Sequence, residues 1–150
     1  MSALSSFSWT DLAGADGGVA GTVRAGVDRV DLDEFRRTIE TAGQAFVERV
    51  FTPREIAFCN GRVARLATRF AAKEAVAKVF GTGIRGFGWL DVEVVSSPAG
   101  EPDLRLHGRA RDRARDLHIS SLALSLSHTT TTAEAFVVAL CATAPEELPG

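Results

Sequence analysis

Val63-Ala64-Arg65-Leu66-Ala67-Thr68-Arg69-Phe70-Ala71-Ala72-Lys73-Glu74-Ala75-Val76-Ala77-Lys78-Val79-Phe80, closed by Gly81-Thr82-Gly83, is the longest helical pattern in this 150-residue chain. Val63, Leu66, Phe70, Ala77 and Phe80 recur at helical spacing from about Arg62 onward, and the glycines supply the stop. The segments on either side arrange themselves around this central helix. Upstream, Thr52, Pro53 and Glu55 stand in capping-box order and open a short helix that ends near Asn60-Gly61. Leu32, Phe35, Ile39 and Ala42 mark an earlier amphipathic helix with Gly43 as its stop. Val23, Ala25 and Val27 alternate with Arg24 and Gly26 in a short strand ending at Asp28.

Downstream, Leu90, Val92 and Val94 alternate with Asp91 and Glu93. A turn over Pro98-Ala99-Gly100-Glu101-Pro102 then leads to a strand at Leu104 to His107, a hairpin pattern. Gly108 to Leu117 reads as an arginine-rich helix, and Ser121–Ser127 and Glu134–Cys141 read as two more strands. This order predicts an α+β domain in which an antiparallel sheet packs against the long central helix. The domain spans residues 23–142. Residues 1–22, rich in Ser, Gly and Ala, read as a flexible arm, and residues 143–150 as a tail.

Seventeen basic and nineteen acidic side chains leave a net charge of −2, which excludes a nucleic-acid binder working through a strong overall positive field. Anionic partners must therefore meet a local basic patch. Cys59 and Cys141 are far apart and have no neighbours at zinc-site spacing. No signal peptide or membrane-length apolar run is present, so the expected location is the cytoplasm, with both thiols reduced.

Several side chains can carry chemistry. Glu74 and Lys78 share a helix face, as a surface i,i+4 pair or as a metal carboxylate with a phosphate-binding ammonium one turn on. Asp28 reads as a turn or cap residue; joined with Glu74 it supplies the hard oxygen ligands suited to Mg²⁺, whose remaining positions go to water and substrate phosphate. Arg62, Arg65 and Arg69 form a basic stripe, either a solvated face or a polyphosphate-binding one. His128 projects from a strand end beside Thr129, as a surface histidine or a ligand-facing one. Gly81-Thr82-Gly83 is first a helix stop and only secondarily a phosphate loop. Arg109, Arg111, Arg113 and Arg115, interleaved with Asp112 and Asp116, suggest an exposed, ion-paired helix.

Taken together, Gly26-Val27-Asp28, Phe46 to Thr52 with Glu55, Arg69 to Lys78, Gly81 to Gly83 and Leu126 to Thr129 resemble the holo-acyl-carrier-protein synthase family. These are the small 4′-phosphopantetheinyl transferases, and the likeness covers roughly Val23 to Leu140. It implies the 4′-phosphopantetheinyl transferase fold and transfer of the phosphopantetheine arm of coenzyme A to a serine of an apo acyl carrier protein, with 3′,5′-ADP as second product. By motif, Asp28 and Glu74 would hold Mg²⁺ and Lys78 would contact phosphate near the breaking bond. Arg69, His128 and Thr129 would face the nucleotide phosphates, and Gly81, Thr82 and Gly83 the adenine. The resemblance further implies a homotrimer with sites shared between subunits.

An acidic carrier would dock on first-helix basic residues, here Arg36 and Arg37. Glu34 stands where relatives often carry a basic residue, which bears on carrier preference; the amino-terminal arm and the short connection around Cys59-Asn60-Gly61 point to a polyketide or peptide pathway as an alternative to fatty-acid synthesis. The competing reading is a non-catalytic module that binds coenzyme A or a carrier protein on the same fold. A nucleic-acid module built on Arg109 to Arg115 is a third.

Overall fold

The computed structural model describes residues 21–83 and 86–142. The arm and tail read from the sequence lie outside them, except that Gly21 and Thr22 already belong to the first strand. That strand, β1 (Gly21–Asp31), leads into α1 (Leu32–Val50), α2 (Pro53–Cys59) and α3 (Val63–Phe80). A hairpin of β2 (Val92–Ser96) and β3 (Pro102–Leu106) follows, then α4 (Gly108–Asp116), β4 (Ile119–His128) and β5 (Thr132–Ala142). The expected antiparallel sheet is present as three strands in the order β1-β5-β4, and the hairpin forms a separate two-stranded sheet.

The helix signals act as read. Thr52 caps α2, its hydroxyl accepting from the Glu55 N–H while the Glu55 carboxylate accepts from the Thr52 N–H. Gly81, in the left-handed region at φ 72°, ends α3. At Gly43 the outcome differs from the expected stop. That residue leaves helical geometry (φ 70°, ψ −162°), but the chain resumes its helical course to Val50, so Gly43 is a kink. Phe46, Val47 and Val50 on the resumed segment bury against Leu32, Phe35 and α3, which offsets the break.

Two cores meet along α3. Its alanine-rich face, with Ala71, Ala72, Ala75 and Val79, packs on Ala135, Val137 and Ala139 of β5 and on Val92 and Val94 of the hairpin. Leu66 and Ala67, near its start, pack on α1 and α2. The small residues let the sheet approach closely. At the point of contact, a Cβ added to Gly26 of β1 would overlap the Ala75 carbonyl oxygen, so glycine is required there for steric reasons.

This close approach turns β1 over. Alternation alone would place Val23, Ala25 and Val27 in the core, yet they face outward, Val23 and Val27 being 60% and 57% exposed. Arg24, Gly26 and Asp28 face α3. Nor does Asp28 end the strand, which runs on to Asp31 in register with β5.

The polar pattern of the hairpin is also deceptive. Glu93 is buried, its carboxylate accepting from the Thr52 hydroxyl at 2.7 Å and lying 3.3 Å from His107 Nε2. Burial opposes its charge, and the hydrogen bonds from Thr52 and His107 more than offset this, holding the carboxyl below its ordinary range. Glu93 thus ties α2 to the hairpin.

Candidate active site

Asp28 comes from β1 and Glu74 from α3, and the contact of Gly26 with Ala75 brings the two elements together. Both carboxylates line a cavity of about 380 Å³ whose other walls are Arg29, Val30 and Asp31 of β1, Glu34, Phe35, Thr38 and Phe46 of α1, and Phe70 of α3. Phe70 packs against Phe35 at 5.3 Å between ring centroids and stacks on Trp89 at 5.0 Å. Aromatic and acidic side chains therefore share its lining.

Lys78, one turn beyond Glu74, donates to the Asp28 carboxylate at 3.0 Å and to the Val27 carbonyl at 2.7 Å. The ion pair it forms thus reaches across to the strand and not back to Glu74. Partial burial, then the negative charge of Asp28, raise the Glu74 carboxyl above its usual value, against a lowering by Lys78. Two carboxylates close enough to oppose each other's charge, beside an exposed ammonium, suit a divalent cation. Among the described residues no set of three or more acid, histidine or cysteine side chains gathers as a closed metal cage. A pair fits magnesium, which keeps several waters and takes substrate phosphate as ligand.

The other predicted residues stand apart from this cavity. Arg69 is 6% exposed, so the basic stripe is not a solvated face throughout. Its guanidinium lies 4.5 Å from the Phe58 ring centroid, with that of Arg65 at 5.2 Å, and donates to the Arg65 carbonyl while its Nε lacks a partner. Among the described residues this Nε is thus a buried donor with no protein acceptor.

His128 is exposed at the end of β4. Thr129 shapes the β4–β5 turn, its hydroxyl accepting from the Thr131 and Thr132 N–H groups. Thr82 donates to the Gly83 carbonyl. In α4, Arg113 does not join an ion-paired surface; it donates to the Phe80 carbonyl at the end of α3.

Sequence reasoning missed Lys73 and its partners. This side chain is fully buried and donates to Glu55 Oε1 at 2.8 Å, to the Trp89 carbonyl at 3.1 Å and to the Val92 carbonyl. Burial lowers its pKa, and Glu55 opposes that lowering. A signal was present: Leu66, Phe70, Lys73, Ala77 and Phe80 follow the 4-3-4-3 rhythm of one buried stripe, with a lysine at its centre.

The chain matches the 4′-phosphopantetheinyl transferase superfamily over residues 24–141 and belongs to that family of transferases. Within it, the holo-[acyl-carrier-protein] synthase of Geobacter sulfurreducens is 45% identical over 117 residues, covering 75% of this chain and 93% of the relative. The crystal structure of holo-[acyl-carrier-protein] synthase from Neisseria meningitidis is similar with a TM-score of 0.72 at 38% identity, covering 77% of this chain and 96% of that one. That from Helicobacter pylori, in complex with coenzyme A, gives 0.70 at 30% identity, covering 77% and 98%. The α+β fold expected from the sequence is thus the fold of these synthases.

Proposed function

We propose that the chain transfers the 4′-phosphopantetheine arm of coenzyme A to a serine of an apo acyl carrier protein, leaving 3′,5′-ADP, with Asp28 and Glu74 holding Mg²⁺. The observation that carries this reading is the convergence of two carboxylates from separate elements on one cavity, with Lys78 bridging to one of them. The metal, when bound, neutralises charge on the pyrophosphate and on the departing nucleotide. Lys78, released from Asp28, binds phosphate beside the breaking bond and offsets the same charge. The aromatic wall of Phe35, Phe46 and Phe70 keeps water from one side of the cavity.

Helix α1 borders this cavity through Glu34, Phe35, Thr38 and Phe46, and its exposed Arg36 and Arg37 are the docking residues for an acidic carrier; Arg36 also pairs with Asp33 at 3.2 Å. Cys59 and Cys141 are free and buried, in keeping with a reducing cytoplasm. Among the described residues, no helix is long and apolar enough to cross a membrane.

The outer face of the main sheet supports a homotrimer. Val23, Ala25 and Val27 stand beside Leu140, Val138 and Phe136 in register, so the outward rows of β1 and β5 form one apolar surface; Phe136 is 47% exposed. Such a surface calls for a partner. A site completed by a neighbouring copy is also how Arg69, His128, Thr129 and the Gly81–Gly83 turn come to serve the nucleotide. Val27→Glu with Phe136→Glu should convert a trimer of 15.9 kDa chains to monomers in light scattering and remove most activity. A monomeric parent with full activity would refute the shared site.

The reaction is tested by intact-mass analysis of apo carrier proteins incubated with this protein, coenzyme A and Mg²⁺. A gain of one phosphopantetheine, abolished by chelator, is the expected result. No gain on fatty-acid, polyketide or peptide carriers, with coenzyme A still bound, would establish a non-catalytic binding module instead.

A further inference from the structure

Strand β1 and helix α3 each supply one member of the carboxylate pair, so the separation of Asp28 and Glu74 depends on how high the strand rides along the helix. Three contacts set that height. Gly26 presses on the Ala75 carbonyl, which fixes the distance between the elements but lets the strand slide. Lys78 holds the Asp28 end through the Val27 carbonyl and the Asp28 carboxylate. The third contact lies four residues back along the strand: Arg24 Nε donates to the Val79 carbonyl at 2.7 Å, half-buried, with its Nη2 beside Gly81.

Lys78 cannot be the permanent tie. On the function proposed above it is needed at the substrate phosphate, and in turning there it lets go of Val27 and Asp28. Arg24 is free of that conflict, because its acceptor is a backbone carbonyl at a helix C-terminus, one of the groups that has no partner within the helix. The next carbonyl, of Phe80, is taken by Arg113 from α4. Two guanidiniums from different elements thus pin the last turn of α3, where the helix dipole also favours cations. The end of the helix becomes a fixed anchor against which Arg24 holds the strand.

We propose that Arg24 is a positioning residue for the metal site: its bond to Val79 keeps Asp28 at the height of Glu74 when Lys78 leaves to bind substrate. This rests on the assignment of Asp28 and Glu74 as metal ligands. It places a determinant of metal affinity at the far end of the strand, away from the carboxylates themselves.

The test uses the full-length protein with Mn²⁺ as a paramagnetic stand-in for Mg²⁺, titrated by electron paramagnetic resonance in the presence of coenzyme A. Coenzyme A binding in chelator is measured separately by calorimetry. Arg24→Met should weaken Mn²⁺ binding about tenfold, the scale of losing a group that orients a metal ligand, with metal-free coenzyme A affinity unchanged. Arg24→Lys, which keeps a donor, should restore most of the loss. Arg24→Gln, too short to reach Val79, is titrated in the same way should Arg24→Met not fold.

Unchanged Mn²⁺ affinity in a folded Arg24→Met or Arg24→Gln protein would overturn the proposal, as would an equal loss in both titrations, which marks a nucleotide contact or a general loosening. Asp28→Asn serves as the reference. If that substitution leaves Mn²⁺ binding intact, the ligand assignment itself falls; if it weakens Mn²⁺ binding while the Arg24 variants do not, only the positioning role falls.

Discussion

Glu74→Gln should lower the rate of carrier-protein modification by about 10²–10³-fold, equivalent to ~3–4 kcal/mol of lost transition-state stabilisation. The substitution keeps the size of the side chain and its place on α3, and removes the charge that with Asp28 attracts the cation. The deficit should therefore shrink as Mg²⁺ is raised, while coenzyme A affinity measured in chelator stays near that of the parent.

Stability should move the other way. Burial and the charge of Asp28 raise the Glu74 pKa, so between its ordinary and its raised value the folded protein binds more protons than the unfolded chain. The metal-free parent consequently loses stability as pH rises through that window, and Gln, which does not titrate, loses none. At neutral pH without metal the variant should melt at or above the parent, as measured by calorimetry in chelator. A variant that is both inactive and less stable would show that Glu74 is needed for folding and not for the reaction.

What was legible in the sequence was whatever short-range chemistry determines: the capping box of Thr52 and Glu55, the glycine stop after Phe80, the alternation of β4 and β5, and the one-turn spacing that puts Glu74 and Lys78 on one face. What was not legible depends on contacts between distant segments. Val23, Ala25 and Val27 alternate like any strand with a core face, but the face that reaches the core is the one bearing Gly26, because only there can the backbone meet Ala75. The inverted apolar row then makes sense as a surface for other copies of the chain.

The same limit applies to charged side chains. Arg69 looks like a member of a solvated stripe, yet Phe58 of α2 lies over its guanidinium, which donates to Arg65 and Thr68 of its own helix; Lys73 sits in an apolar stripe and is buried because Glu55, Trp89 and Val92 of other segments supply its acceptors. The family resemblance located Asp28, Glu74 and Lys78 as a set. It also grouped Arg69, His128, Thr129 and Gly81 to Gly83 with them, and these do not border the cavity within one chain. On the proposed shared site a neighbouring copy would bring them to it, an adjacency that local spacing does not record.

Lys73→Met should cost about 3–5 kcal/mol of folding stability, the scale of breaking a buried ion pair by removing one partner. At this chain length that corresponds to a fall in Tm of roughly 10 °C. The methionine fills most of the space, so the cost is electrostatic: Glu55 is left buried without its cation, and the Trp89 and Val92 carbonyls lose their donor. Glu55 keeps two backbone donors, from Thr52 and Val94, but these do not replace the lost cation. Lys73→Met combined with Glu55→Gln removes the stranded charge while preserving an acceptor for the Thr52 and Val94 N–H groups. It should recover a large part of the loss in urea unfolding. If the double variant is no more stable than Lys73→Met alone, the pair is not the source of the cost, and the contacts of Lys73 with the two carbonyls must hold the hairpin to α3 by themselves.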